Sequence, residues 1–276
     1  MPIDIDAVVL SNEQLSEEYN VVKLAAPEIA TQCKPGQFVM VKQNFITDSL
    51  LRRPFSIFEI LRDDKDHVIG VSLLNKRVGI VTEALFALQP GNRLRCLGPI
   101  GHPFSIISRP SLAWMVAGGV GLAPFATLSE VLRKQGVSTK LFYGARSTTD
   151  LFRIDIFENL GVHVIVTTED GSYGEAGIVT IPLEREIKAL SPNTPLMIYA
   201  CGPTAMMRAV NDLANLYQQP TEVSLEPVMG CGLGGCYSCV VHVKSSKNDQ
   251  SGHFVRACLD GPVFSGDQLL WNALAN

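Results

Sequence analysis

No export signal is expected of this sequence. Its start, MPIDIDAVVLSNEQL, has no basic stretch followed by an apolar run, so a secretory leader is not expected. Nothing approaches the roughly 20 apolar residues that span a bilayer, so no membrane partner is expected and the cytoplasm is the expected compartment. Charge is scarce and nearly balanced: 18% of residues are charged and the net charge is -4, which gives no sign of a nucleic-acid partner. The hydrophobic fraction of 46% argues against disorder. No repeat or low-complexity segment interrupts the 276 residues, a length that suits about two domains of ~100–200 residues each. Five histidines are scattered along the chain, and no Ser/His/Asp arrangement stands out, so no side chain is expected to act as catalytic acid, base or nucleophile.

Cysteine, in contrast, is present and clustered. There are seven, an odd number that fits poorly with a disulfide framework, and cytoplasmic thiols stay reduced. Three fall in EPVMGCGLGGCYSCVV: Cys231, Cys236 and Cys239, spaced C-x4-C-x2-C, with Cys258 downstream in FVRACLDGPVF. This is plant-type [2Fe–2S] spacing, which needs four thiolates. The glycines between the cysteines let the chain wrap around such a group, and bare N–H groups there can point at sulfur. Structural zinc is the rival reading. Zinc sites usually pair two short Cys-x2-Cys knuckles, and this chain has one, so iron–sulfur is favoured.

The chain divides into three expected parts. Residues 1–105 are strand-rich: DAVVLSN, YNVVKLAA, GQFVMVKQ, PFSIFEI, HVIGVSLLN and NRLRCLGPIG are short, β-branched or aromatic, and separated by polar turns. One helix, around VTEALFAL, interrupts them, and the pattern predicts a small antiparallel β-barrel. Residues 106–226 alternate, with the apolar strands LAWMVAG, KLFYGA, VHVIVTT and LMIYAC each followed by a helical or loop segment, as in an α/β parallel sheet. Residues 227–276 hold the cysteines and are too few to build a good core alone, so a metal centre would help hold them together.

Several short motifs carry two readings each. GGVGLAPF, with Gly119 and Gly121, follows a strand and opens a helix; it is either a Gly-rich turn or a place where backbone approaches a diphosphate. YACGPTAMM repeats that geometry, with Cys201 and Gly202 at the carboxyl end of a strand, where open α/β sheets bind ligands; Cys201 alone reads equally as an inert buried thiol. LLRRPFSIF offers Arg53 for phosphate oxygens, Phe55 for a flat ring and Ser56 for a ring nitrogen, or simply a barrel strand with Phe inward. In GIVTEALFAL, Thr82 is either a plain helix cap or a diphosphate contact.

The motifs occur in one order: Arg-x-Phe-Ser, Gly-x-x-Thr, Gly-Gly-x-Gly-x-x-Pro, Cys-Gly-Pro-x-x-Met. That order resembles the ferredoxin–NADP reductase superfamily over about the first four-fifths of the chain. The resemblance implies a β-barrel FAD domain, an α/β nucleotide-binding domain and a small C-terminal iron–sulfur subdomain. It assigns Arg53, Pro54, Phe55, Ser56, Gly79 and Thr82 to FAD, with Leu74, Asn75, Lys76 and Val81 on neighbouring stretches. It assigns Gly119, Gly121, Cys201 and Gly202 to a nicotinamide nucleotide. The tail, with CLDGPVF and Trp271, is similar to that of the electron transfer subunits of dihydroorotate dehydrogenase B, which extends the resemblance over essentially the whole chain. That family implies FAD, one [2Fe–2S] cluster bound by Cys231, Cys236, Cys239 and Cys258, and NAD. It also implies a separate FMN-containing catalytic subunit that oxidises dihydroorotate in pyrimidine biosynthesis, in a two-plus-two heterotetramer. The arm between Cys239 and Cys258, with KSSKNDQSGH, is longer than expected for the family and is read as a surface loop. A reductase-like subunit of another complex (sulfite reductase, hydrogenase or glutamate synthase) is the alternative, and a redox sensor or zinc-stabilised binding module a remote one. No acidic residue stands clearly at the end of KLFYGA to hold a ribose hydroxyl, and Arg146 there suits a 2′-phosphate equally.

Overall fold

The computed structural model describes residues 1–43, 50–191, 193–245, 249 and 251–274. It divides the chain into two compact units. The first comprises residues 1–103, 227–240 and 256–262, and the second residues 104–226, 241–255 and 263–276. The cysteine segment therefore does not form a unit of its own.

In the first unit the strands are β1 (Ile3–Gln14), β2 (Tyr19–Ala25), β3 (Phe38–Lys42), β4 (Arg53–Ser56), β5 (Glu59–Arg62), β6 (Val68–Lys76) and β7 (Arg93–Ile100). They form one curled antiparallel sheet in the order β4-β3-β7-β1-β2-β6-β5. Period-2 alternation puts Val9, Val22, Leu24, Val39, Val71 and Leu73 into one buried cluster. On β1 the alternate residues Asp4 and Asp6 point out and pair with Arg95 at 2.8 Å and Arg93 at 3.2 Å on β7. Two short helices lie between strands: α1 (Pro27–Ala30), a single turn the sequence pattern did not announce, and α2 (Ile80–Phe86). The expected strand PFSIFEI is two strands, β4 and β5, because the chain turns inward at the fully buried Ile57 and Phe58.

The second unit is built on β8 (Leu112–Gly118), α3 (Ala123–Lys134), β9 (Thr139–Ala145), α4 (Ile154–Asn159), β10 (His163–Thr168), β11 (Glu175–Ala176), α5 (Thr180–Lys188), β12 (Leu196–Cys201), α6 (Thr204–Leu216) and β13 (Thr221–Ser224). The sheet order is β11-β10-β9-β8-β12-β13, all parallel, and a last strand from the tail adds antiparallel to β13. The four expected strands are thus the middle of a seven-stranded sheet. LAWMVAG is buried along its centre, as strands covered on both faces are. The order reverses between β8 and β12, so the loops after these strands flank the switch point where open α/β sheets take ligands.

After the cysteine segment come β14 (Val240–Val243), β15 (His253–Arg256), the short helix α7 (Ala257–Asp260) and the tail strand β16 (Val263–Ser265). β14 and β15 pair as a two-stranded ribbon. The long arm expected as a surface loop lies here, and its residues 246–248 and 250 fall outside the described residues. Among the described residues no helix is long and apolar enough to cross a membrane.

Candidate functional site

The switch-point loops of the second unit are locked together by close approach. A side chain on Gly121 would collide with the Cys201 carbonyl, so only glycine fits between the two loops. Gly119, at φ +54°, has open space where its side chain would be, leaving the backbone accessible. Pro124 sits in the first turn of α3, where its missing N–H costs no hydrogen bond. The buried Tyr143 on β9 bonds through its hydroxyl to the carbonyls of Asp150 at 3.2 Å and Gly119 at 3.5 Å. It ties the end of β9 to the Gly119 loop.

Cys201 is fully buried, and burial first, then the charge of Glu226, pushes its thiol well above the ordinary range. Its sulfur lies 4.0 Å from a Glu226 carboxylate oxygen. Glu226 has solvent-exposed surface, and desolvation of its carboxyl raises its pKa. Sequence reasoning missed Glu226 and Tyr143. The only signal for Glu226 was its place two residues beyond the carboxyl end of β13. Arg146 is engaged: its Nε and Nη2 reach Asp150 Oδ2 at 3.1 and 3.0 Å. Asp170, just beyond β10, is held below the ordinary carboxylate range by the hydroxyl and N–H of Ser172.

In the first unit the candidate flavin residues separate into open and engaged groups. β4 is an edge strand, which tolerates Pro54, and pairs Phe55 with Val39 and Arg53 with Val41. Arg52 is clamped by both oxygens of Asp4 at 3.0 and 2.7 Å. Its neighbour Arg53 is exposed, bonds to the Leu51 and Arg52 carbonyls at 3.1 Å, and meets no carboxylate among the described residues. Phe55 and Ser56 are half-buried. Leu74 and Val81 belong to buried surface.

The side chains of Asn75, Lys76 and Thr82 have partners within the unit. Asn75 is fully buried and donates to Asn20 Oδ1 at 2.7 Å and the Thr82 carbonyl at 3.0 Å. Asn20 donates in turn to Asn12 Oδ1 at 2.6 Å, and Asn12 reaches the α2-end carbonyls of Phe86 and Leu88 at 3.0 and 2.8 Å. Thr82 Oγ1 accepts the N–H groups of Val78 and Gly79 at 2.8 and 2.9 Å, so its hydroxyl braces the start of α2. Lys76 lies over the Tyr19 ring, 4.8 Å from its centroid, and 3.5 Å from Glu18.

The four cysteines of the C-x4-C-x2-C…C pattern all lie in the first unit. Cys236 is exposed and Cys231 half-exposed, whereas Cys239 and Cys258 are buried at 2% and 1%. The Leu233 N–H donates to Cys231 Sγ at 3.3 Å, and Ser238 Oγ lies 3.1 Å from Cys236 Sγ. Hydrogen bonding, first from Ser238 and then from Cys231, pulls the Cys236 thiol down to about 6. Burial, then the neighbouring Cys239, pushes Cys258 up to about 12. Cys231 is thus a neighbour of Cys236, and Cys239 of Cys258. Among the described residues no three His, Cys, Asp or Glu side chains are grouped to hold one metal ion. Four thiolates are the donor set that a two-iron group takes, two to each iron. Arg256 closes the loop, donating to the Gly234 carbonyl at 3.0 Å and stacking over Tyr237 at 5.1 Å. Gly234, at φ +78°, takes a conformation that other residues adopt only with strain.

Comparison with known proteins bears on all three regions. An oxidoreductase FAD-binding domain matches residues 6–104, an oxidoreductase NAD-binding domain residues 115–212, and the iron-sulfur cluster binding domain of dihydroorotate dehydrogenase B residues 226–270. The chain is 36% identical over 267 residues to the dihydroorotate dehydrogenase B (NAD(+)) electron transfer subunit of Desulforamulus reducens, covering 96% of this chain and 98% of that one. It belongs to that family. The family's electron transfer subunit from Geobacillus thermodenitrificans is 34% identical over 95% of this chain and 96% of its own. Among solved structures, a chain of the NADH-dependent reduced ferredoxin-NADP oxidoreductase superposes with a TM-score of 0.82 at 26% identity, over 96% of this chain and 90% of that one. The resemblance stated from the tail is thus met over 95–96% of the chain, which carries domains for FAD, NAD and the family's iron–sulfur cluster.

Proposed function

We propose that this chain carries electrons from a dihydroorotate-oxidising catalytic subunit to NAD⁺, for the synthesis of pyrimidines. The observation that carries this reading is the set Cys231, Cys236, Cys239 and Cys258, held in one unit and within the segment 226–270 matched by the iron-sulfur cluster binding domain of dihydroorotate dehydrogenase B, in a chain with a nucleotide loop and a flavin-type edge strand. A cluster passes single electrons, a nicotinamide takes two as a hydride, and a flavin converts between them. The chain's own residues bind and position. Arg53, the arginine of its pair without a carboxylate partner among the described residues, holds the FAD diphosphate. Pro54, Phe55 and Ser56 line the flavin ring, with Leu74, Asn75, Lys76, Gly79, Val81 and Thr82 forming the wall and turn beside it.

Gly119 and Gly121 admit the nucleotide diphosphate, and Cys201 and Gly202 border the nicotinamide. Pairing of Arg146 with Asp150 leaves no unpaired guanidinium at the tip of β9, which supports NAD over NADP. The partner is an FMN-containing catalytic subunit in a two-plus-two heterotetramer, in the cytoplasm.

The test is purification from native extract under anaerobic conditions. The catalytic subunit should co-purify in equal number. The isolated chain should oxidise NADH with an artificial acceptor and leave dihydroorotate untouched. Turnover of dihydroorotate by the isolated chain would contradict the reading. A second reading, a reductase-like subunit of another complex, draws on the TM-score of 0.82 with the NADH-dependent reduced ferredoxin-NADP oxidoreductase. A different co-purifying protein would select it.

A further inference from the structure

Ser238 lies between two of the cysteines and has no role in the reading so far. Its Oγ accepts the backbone N–H of Gly230 at 2.8 Å, which fixes the side chain and leaves its own proton free. The second neighbour of that oxygen is Cys236 Sγ at 3.1 Å. A sulfur bound to iron as thiolate can only accept, so the hydroxyl proton points at it. The fit is close on all sides. A side chain on Gly230 would stand 3.1 Å from Cys236 Sγ and 3.3 Å from Ser238 Oγ, so the glycine lets both approach.

The other sulfur of the same pair, Cys231, already receives the Leu233 N–H at 3.3 Å. The second pair is different. Cys239 and Cys258 are almost fully buried, and neither receives a hydroxyl among the described residues. Donors to thiolate sulfur draw off negative charge. They favour the state in which the group carries one more electron, and hydrogen bonds to the sulfurs are among the factors that set cluster potentials.

We propose that Ser238 is a positioning residue that sets the reduction potential of the iron–sulfur centre, by donating its hydroxyl hydrogen bond to Cys236. The proposal rests on the [2Fe–2S] reading above. One electron enters, the charge falls by one, and no bond breaks and no proton moves. The hydroxyl holds the potential up, so that the centre accepts electrons more readily than its thiolates alone would allow.

The experiment is an EPR-monitored redox titration of the full chain, purified anaerobically with its iron and flavin. Ser238→Ala should keep its iron and sulfide and shift the reduction equilibrium about tenfold toward the oxidised form, which is about 59 mV lower for a one-electron couple. Ser238→Thr, which retains the hydroxyl, should return most of the shift. The FAD potentials of the same samples should stay in place. Gly230→Ala, which crowds the hydroxyl off the sulfur, should lower the potential in the same direction and carries the test if Ser238→Ala loses its iron. An iron-replete Ser238→Ala or Gly230→Ala protein with an unshifted potential would overturn the proposal. A wild-type chain purified without iron or with zinc would sink the cluster reading instead, and the two failures are told apart by metal analysis.

Discussion

The cysteine loop and the strand-turn-helix around α2 were both marked as cofactor sites from sequence, and the structure treats them differently. In the cysteine loop the groups beside two of the four marked side chains, Leu233 N–H and Ser238, lie at hydrogen-bond distance from sulfur. Around α2, the side chains of Asn75 and Thr82 make bonds inside the unit. Free thiols clustered at C-x4-C-x2-C spacing have few structural uses, so their spacing points to a ligand. Asn and Thr cap, brace and bridge backbone everywhere, so their presence in a motif leaves their role open.

The comparison breaks most sharply at Cys236. Cys236→Ser should remove the iron–sulfur absorbance and most bound iron while FAD stays bound, since the flavin residues lie on other elements. Unchanged iron content in that variant would dismiss the ligand assignment.

Next comes the arginine pair. Arg53→Ala should weaken FAD retention about ten- to a hundredfold, the scale of one charge-assisted hydrogen bond. Arg52→Ala, which loses the Asp4 clamp, should leave flavin affinity within about twofold, a change under ~0.5 kcal/mol. Equal flavin loss in both variants, measured by dialysis and fluorescence, would erase the distinction between them.

The α2 side of the comparison sharpens with Asn75→Ala. It leaves Asn20 and the Thr82 carbonyl short of a donor inside the protein, so stability should fall by about 1–3 kcal/mol in urea unfolding. Thr82→Ala should have the smallest effect, about 1 kcal/mol, as the loss of a helix-start bond. If Thr82→Ala released FAD at full stability, the hydroxyl would be a ligand contact and not a brace.

The same contrast explains how much was legible in the sequence. Long alternating or apolar runs, such as LAWMVAG and HVIGVSLLN, gave β8 and β6, because each carries enough residues for its burial pattern to show. β11, β13 and β16 were not foreseen. With two to four residues each, they are strands only because a neighbour in the sheet supplies their hydrogen bonds. The thiols were legible from spacing, and the order of the glycine motifs marked the switch-point loops. The Asn12–Asn20–Asn75 chain was not, since three asparagines 8 and 55 residues apart meet only through strand pairing. Glu226 was hidden for a related reason. One carboxylate carries no pattern, and its proximity to Cys201 exists only once β12 and β13 lie side by side.

The proposed electron route enters the chain through the cysteine loop. Its most direct test is dihydroorotate-dependent NAD⁺ reduction by the chain reconstituted with its catalytic partner, comparing wild type with the FAD-replete Cys236→Ser variant. The coupled reaction should vanish in the variant while direct NADH oxidation with an artificial acceptor persists. Full coupled activity without the cluster would show that electrons take another path.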